Sequence, residues 1–297
     1  MIDDPKFRTA EILTSTQTLK LKNPVKTTFA AIIAGFTLLA GVSRAEAVQV
    51  TLYNGTGLPE TQSPIWLLPG ALNSSGAIVA PVRAPVAGGV QVTTAANGAE
   101  YSGYTNYEPI SGTFFNSSFP TLDRNLGYTI SFGARLDSST NTTANRSAFS
   151  VTVTSSDGLS GIELGFEPGS VIGRNPDFTP GESATFNTGT LANYTLAVQG
   201  NNYTLSSGAQ TLTGALRSYN FNPATSSPPL GTFNPYRVGN FLFFGDNTGQ
   251  ESGIFTLGAV SVNTDTAAAV PYEFSPTFGI LILGAWTTVH HLRNKKK

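Results

Sequence analysis

The sequence predicts an all-β protein, a single jelly-roll or β-sandwich domain flanked by an N-terminal signal helix and a C-terminal transmembrane helix. Three observations predict the body. From Val48 to about Val262, short runs rich in Val, Ile, Tyr and Phe are separated by clusters of Gly, Asn, Ser, Thr and Pro, the punctuation of strands and turns. Several of those runs alternate apolar and polar residues with period 2, which turns one face of a strand toward a core. No stretch of the body sustains a 3.6-residue helical period. Three segments follow: 1–47 as upstream extension and signal, 48–265 as the sandwich, and 266–297 as linker and membrane anchor.

In chain order, Lys20, Lys22 and Lys26 precede an apolar run from Phe29 to Val42, and Ala45-Glu46-Ala47 comes next. These are the basic, apolar and small-residue parts of a secretory signal peptide cut after Ala47. The apolar run falls short of the roughly 20 residues that a membrane span needs. Residues 1–18 read as an over-extended start, so the mature chain is expected to begin near Val48.

The first half of the body, through YSGYTNYEP, is looser and predicts edge strands and long loops. Beyond it the alternation is plain: Tyr128, Ile130 and Phe132; Phe149, Val151 and Val153; Tyr194, Leu196 and Val198. Gly200-Asn201 then starts a tight return into Tyr203 and Leu205, a hairpin signature. FLFFGDN and IFTLGAVSV supply two late strands. So many short strands in one run favour one sandwich over two domains.

The chain ends in PYEFSPTFGILILGAWTTVHHLRNKKK. Pro271, Glu273 and Pro276 frame a short motif. An apolar run from Phe278 to Val289 follows, and Arg293, Lys295, Lys296 and Lys297 stop it. Basic residues after an apolar run orient it with that end in the cytoplasm.

Composition excludes several functions. There is no cysteine, hence no disulfide and no thiolate metal site. Between Val48 and Val270 stand seven Arg, no Lys and thirteen Asp or Glu, a net charge of −6. Such a body lacks the basic footprint of a nucleic-acid partner. Both histidines, His290 and His291, sit in the tail. The body therefore has neither a Ser-His-Asp triad nor an imidazole zinc site.

The tail resembles the PEP-CTERM class of C-terminal sorting signals, with a Pro-containing motif, a hydrophobic helix and a basic end. Here the motif reads Pro-Tyr-Glu-Phe-Ser-Pro where the family has Pro-Glu-Pro. The resemblance implies a sorting protease of the inner membrane as partner. It also implies export, with the protein held in the inner membrane and then passed to the cell envelope, cell surface or exopolysaccharide matrix. The order of strands from Leu126 to Val262 resembles the concanavalin-A-like jelly rolls, in particular laminin-G-like modules, and implies that fold for the body.

Three groups of residues could carry chemistry. Glu163 and Glu167, at i and i+4 of one strand, face the same way, and paired carboxylates are what glycoside hydrolysis uses. Their spacing resembles the Glu-x-Asp-x-Glu strand of laminarinase-type glycosidases, which implies Glu163 as nucleophile and Glu167 as acid/base. Gly165 stands in place of the central Asp, however, and the body has one tryptophan, Trp66. The expected reading is therefore a solvated strand face with two surface glutamates and no catalytic residues. Asp246 and Asn247, with Asp137, are candidate ligands for calcium, which takes six to eight oxygens; an Asx turn is the simpler account of Asp246. No cofactor is required. Tyr101, Tyr104 and Tyr107 are candidate sugar contacts, or edge packing with wet hydroxyls. The expectation is a non-enzymatic structural or adhesive protein with weak carbohydrate binding. The alternative is a glycan-active enzyme using Glu163 and Glu167.

Overall fold

The computed structural model describes residues 48–94, 100–140 and 146–264. The loose first half yields eight short strands: β1 (Val48–Tyr53), β2 (Leu68–Leu72), β3 (Ile78–Val79), β4 (Val82–Val86), β5 (Gly89–Thr93), β6 (Glu100–Thr105), β7 (Tyr107–Glu108) and β8 (Thr113–Phe114). The regular half yields ten: β9 (Tyr128–Thr140), β10 (Phe149–Thr154), β11 (Gly161–Glu167), β12 (Ser170–Arg174), β13 (Pro180–Thr185), β14 (Ala192–Gln199), β15 (Asn202–Ser207), β16 (Gln210–Ala215), β17 (Leu242–Gly245) and β18 (Ser252–Thr264). Helix among the described residues is confined to one-turn 3-10 segments such as Pro59–Thr61 and Pro235–Arg237.

Two large antiparallel sheets pack face to face in an all-β sandwich, as the sequence predicts. The back sheet runs β16-β15-β14-β9-β18-β5-β4, with β1 also paired to β18. The front sheet runs β13-β12-β11-β10-β17-β6-β2-β3, and β7 pairs with β8 apart from both. Period-2 alternation decides which side chains meet between the layers. Tyr128, Ile130 and Phe132 of β9, and Tyr194, Leu196 and Val198 of β14, come from behind. Phe149, Val151 and Val153 of β10 meet them from the front with Ile162, Leu164 and Phe166 of β11. Phe149 stacks on Phe255 across the layers with ring centroids 4.5 Å apart. The hairpin forms where Gly200-Asn201 places it: Gln199 pairs with Asn202, and Gly200 takes a φ of +59°, which a glycine adopts at no steric cost.

No helix among the described residues is long and apolar enough to cross a membrane. The signal helix with its Ala45 and Ala47 cleavage site lies outside the described residues. So do the anchor helix and the sorting motif of Pro271, Glu273, Pro276, Arg293, Lys295, Lys296 and Lys297.

Candidate functional site

The site grows out of one local anomaly. A strand at the surface of a sandwich normally wets its outer face, yet every residue of β10 and β11 is buried. Their inner face is the core. Their outer face is covered by the connection between β16 and β17, residues 216–241, and by Arg146, Ser147 and Phe178. Asn234 fixes the covering turn: its side chain accepts a hydrogen bond from the Tyr236 amide at 3.1 Å and donates to the Phe221 carbonyl at 3.1 Å. That turn sets Tyr236 down on the β11 face.

Glu163, 1 % exposed, is the centre of what is covered. Tyr236 donates its hydroxyl to Glu163 Oε2, and Arg146 Nη1 stands 3.5 Å from Oε1. The Glu163 amide donates to Tyr219 Oη at 2.7 Å, which in turn donates to the Arg174 carbonyl at 3.0 Å. Asn247 Nδ2 donates to Tyr236 Oη at 3.2 Å. Burial, and then the Glu163 charge, push the Tyr236 phenol well above its ordinary range, so Tyr236 rests protonated and donating. The Arg146 guanidinium lies 4.3 Å above the Phe178 ring, a cation–π contact. Phe178 is held at a φ of +68°, a left-handed conformation that a bulky residue seldom accepts.

Glu167 occupies the far end of the strand. Its Oε1 accepts from Ser147 Oγ at 2.5 Å and lies 3.4 Å from Arg174 Nη2. Arg174 is fully buried between the two glutamates, directly over Gly165. A Cβ at Gly165 would collide with Ser147 Oγ and come within 2.9 Å of the Arg174 guanidinium. Thus the place where laminarinase-type strands carry an aspartate holds an arginine side chain instead. Burial lowers the Arg174 pKa, while Glu163 and Glu167 raise it. A buried charge is tolerable only when paired, and two carboxylates with one hydroxyl satisfy that condition here.

Beside this cluster a groove of about 790 Å³ runs across the outer face of β10, β17, β6 and β2. Thr152, Phe243, Thr105 and Gly70 form its floor. Tyr107, stacked on Phe233 with centroids 5.8 Å apart, is part of one wall. Arg146, Tyr236 and Asn247 close the end next to Glu163. Phe243 can lie flat because Gly103 and Gly245 flank it: a Cβ on either would stand 2.8 Å from the ring.

Glu163 and Glu167 do share one strand face, but it is a buried face and not a solvated one. The expectation of two surface glutamates is therefore corrected. Tyr101 and Tyr107 line the groove, whereas Tyr104 is fully buried and donates to Glu60 Oε2 at 3.1 Å. The candidate calcium ligands do not converge. Asp137 belongs to the back sheet, with Arg135 Nε 2.5 Å away and Thr256 Oγ1 donating at 2.8 Å. Asp246 Oδ1 receives the Thr248 amide at 2.9 Å and hydroxyl at 2.7 Å, an Asx turn beyond β17. Among the described residues no group of three or more His, Cys, Asp or Glu side chains could hold a metal ion. Arg146, Arg174, Tyr219 and Tyr236 were not anticipated.

No family profile matches the chain, and no curated protein does. Among solved structures, an alginate lyase from Corynebacterium sp. superposes with a TM-score of 0.45 at 14 % identity, over 71 % of this chain and 100 % of that one. A double-substitution variant of alginate lyase A1-II' gives 0.42 at 9 % identity, over 70 % of this chain and 99 % of that one. A Trypanosoma rangeli sialidase mutant gives 0.37 at 10 % identity, over 80 % of this chain but 36 % of that one. The expectation of a non-enzymatic structural or adhesive body is corrected to this extent: the structures that superpose are alginate lyases and a sialidase, and at 9–14 % identity that likeness is one of fold alone.

Proposed function

We propose that the protein is a glycan-active enzyme that cuts a polysaccharide laid along the front-sheet groove. Tyr236 and Glu163 are the reacting couple. One observation carries this reading: Tyr236 lines the groove and hands its hydrogen bond to a buried carboxylate. When the phenolic oxygen attacks the anomeric carbon, or takes the proton beside the bond to be eliminated, its own proton passes to Glu163, the glycosidic C–O bond breaks, and Glu163 gives that proton up to the departing sugar oxygen. No free tyrosinate is needed beforehand, which suits a phenol whose burial opposes ionisation. Arg146 balances the carboxylate charge at rest, and Asn247 holds the phenolic oxygen in line. Two backbone strains sit at this place, at Phe178 beneath Arg146 and at Tyr101 (φ +51°) on the groove; such strain gathers at functional sites.

Glu167 takes a different part from the one its spacing suggested. The Arg174 guanidinium lies over Gly165 between the two glutamates on the strand and 3.4 Å from Glu167, so Glu167 holds Arg174 and does not act as the second catalytic acid. Export remains part of the proposal, on the sequence of residues 1–47 and 266–297.

The test is turnover of a panel of extracellular polysaccharides, followed both by reducing ends and by the ultraviolet absorbance of an unsaturated sugar end. The second signal appears in elimination only. Tyr236→Phe and Glu163→Gln are each expected to cost at least about 100-fold in kcat, with the melting temperature checked for both. Turnover that survives both substitutions removes the couple from the mechanism.

A further inference from the structure

We infer that the groove accepts an uncharged glycan whose rings carry apolar substituents such as O-acyl groups, and not a polyanionic chain; this rests on reading the groove as the substrate cleft of a glycan-active enzyme. Arg146 is the one guanidinium lining the groove among the described residues, and its charge is committed, 3.5 Å from Glu163 and stacked on Phe178. The other charged group in the lining is Glu108, whose carboxylate accepts the Ile110 amide at 3.0 Å and the Ser111 amide at 2.5 Å. A polyanion is held by repeated cations along its path. Here it would meet one balanced arginine, one carboxylate and a body of net charge −6 that contains no lysine.

The walls give the second argument. Flat aromatic faces alone would suit the C–H faces of bare sugar rings. This groove adds aliphatic side chains with no ring to match: Leu68, Ile78, Ile110 and Leu230. Ile78 is 54 % exposed and Ile110 is 77 % exposed, the latter the most exposed large hydrophobic among the described residues. Such residues gain by being covered with apolar matter, and short acyl groups projecting from a sugar chain are matter of the right size. The polar end with Arg146 and Tyr236 then meets the reacting bond, while the aliphatic stretch reads the decoration.

Binding of the full chain to acetylated glucomannan, to the same polymer after alkaline deacetylation, and to a polyuronate tests this. Affinity for the acetylated polymer is expected to exceed that for the deacetylated one by roughly tenfold. It should be unchanged between low and about half-molar salt, because screening acts only on charges. Equal affinity for the two neutral polymers overturns the inference. So does tight polyuronate binding that collapses with salt, and so does failure to bind any of the three. The double substitution Ile78→Ser, Ile110→Ser alters exposed residues only and is expected to abolish the preference; a preference that persists overturns it as well. Tyr236→Phe should keep the preference. Binding with the preference but without turnover would therefore sink the enzymatic reading and leave the ligand class standing.

Discussion

At the scale of single residues, the molecule is shaped by where carboxyl groups are buried and what meets them. Glu163 and Glu167 each have an arginine within 3.5 Å. Asp246, fully buried, has none. Burial raises its pKa to about 8, opposed by the Thr248 hydrogen bonds and reinforced by Glu251, and its Oδ2 is enclosed without a hydrogen bond. It therefore folds as a neutral acid. For an acid whose folded value lies above its unfolded one, the stabilising contribution is complete below the ordinary Asp range and is lost as pH climbs toward about 8. Asp246→Asn reproduces the protonated acid in shape and keeps Oδ1 for Thr248, but it does not titrate. We expect variant and wild type to melt together near pH 4, about the unfolded Asp value, with the variant melting increasingly higher as pH rises to 8. A gap that stays constant with pH, or a wild type that is the more stable at pH 8, would count against a neutral Asp246.

At the scale of elements, the front sheet makes a groove because two adjacent strands give up their side chains at one spot. Gly103 on β6 and Gly245 on β17 are cross-strand partners, and the Phe243 ring fills the space above both. Gly103→Ala forces a methyl into the Phe244 carbonyl and the ring. Overpacking of that kind costs about 1–3 kcal/mol, and the displaced ring narrows the groove, so KM should rise. Gly70, the partner of Gly103 on β2, would place a Cβ with nothing within 4 Å, so Gly70→Ala should leave stability nearly unchanged. Equal destabilisation by the two alanines, read from urea midpoints, would mean that Phe243 does not rest on Gly103. The strands themselves were legible: in β9, β10 and β14 the alternation named the core residues one by one, because period 2 is a local property. The site was legible only in part. Spacing put Glu163 and Glu167 on one face but not under cover, since the cover comes from far along the chain. Tyr236 is 73 residues from Glu163, and nothing local to Asn234-Pro235-Tyr236-Arg237 says which strand it will lie on. Arg174 was hidden for the same reason, and one tryptophan was a poor guide to a groove built from Phe and Tyr.

At the scale of the whole molecule, the first and last strands of the body meet. Val48 of β1 is the cross-strand partner of Thr264 of β18, so both ends of the described body lie on the back sheet, while the groove occupies the front one. That arrangement sets a sharp limit on where an export signal can be cut. Cleavage after Ala47 leaves β1 whole; cleavage a few residues further on removes Leu52, 1 % exposed, and Tyr53, fully buried. Tyr53 also donates its hydroxyl to the Gly57 carbonyl at 2.9 Å, and burial, with Glu60 behind it, pushes that phenol up to about 12. Losing both side chains from the core should cost at least about 5 kcal/mol, since single large-to-small changes at such sites cost 2–5. Protein recovered from cells is therefore expected to begin at or before Val48, as mass spectrometry of the N-terminal peptide would show. A chain trimmed past Tyr53 should melt far lower than one beginning at Val48. Were the trimmed chain equally stable, β1 would be an ornament on β18, and a cut anywhere between Ala45 and Gly57 would have no consequence for the body behind it.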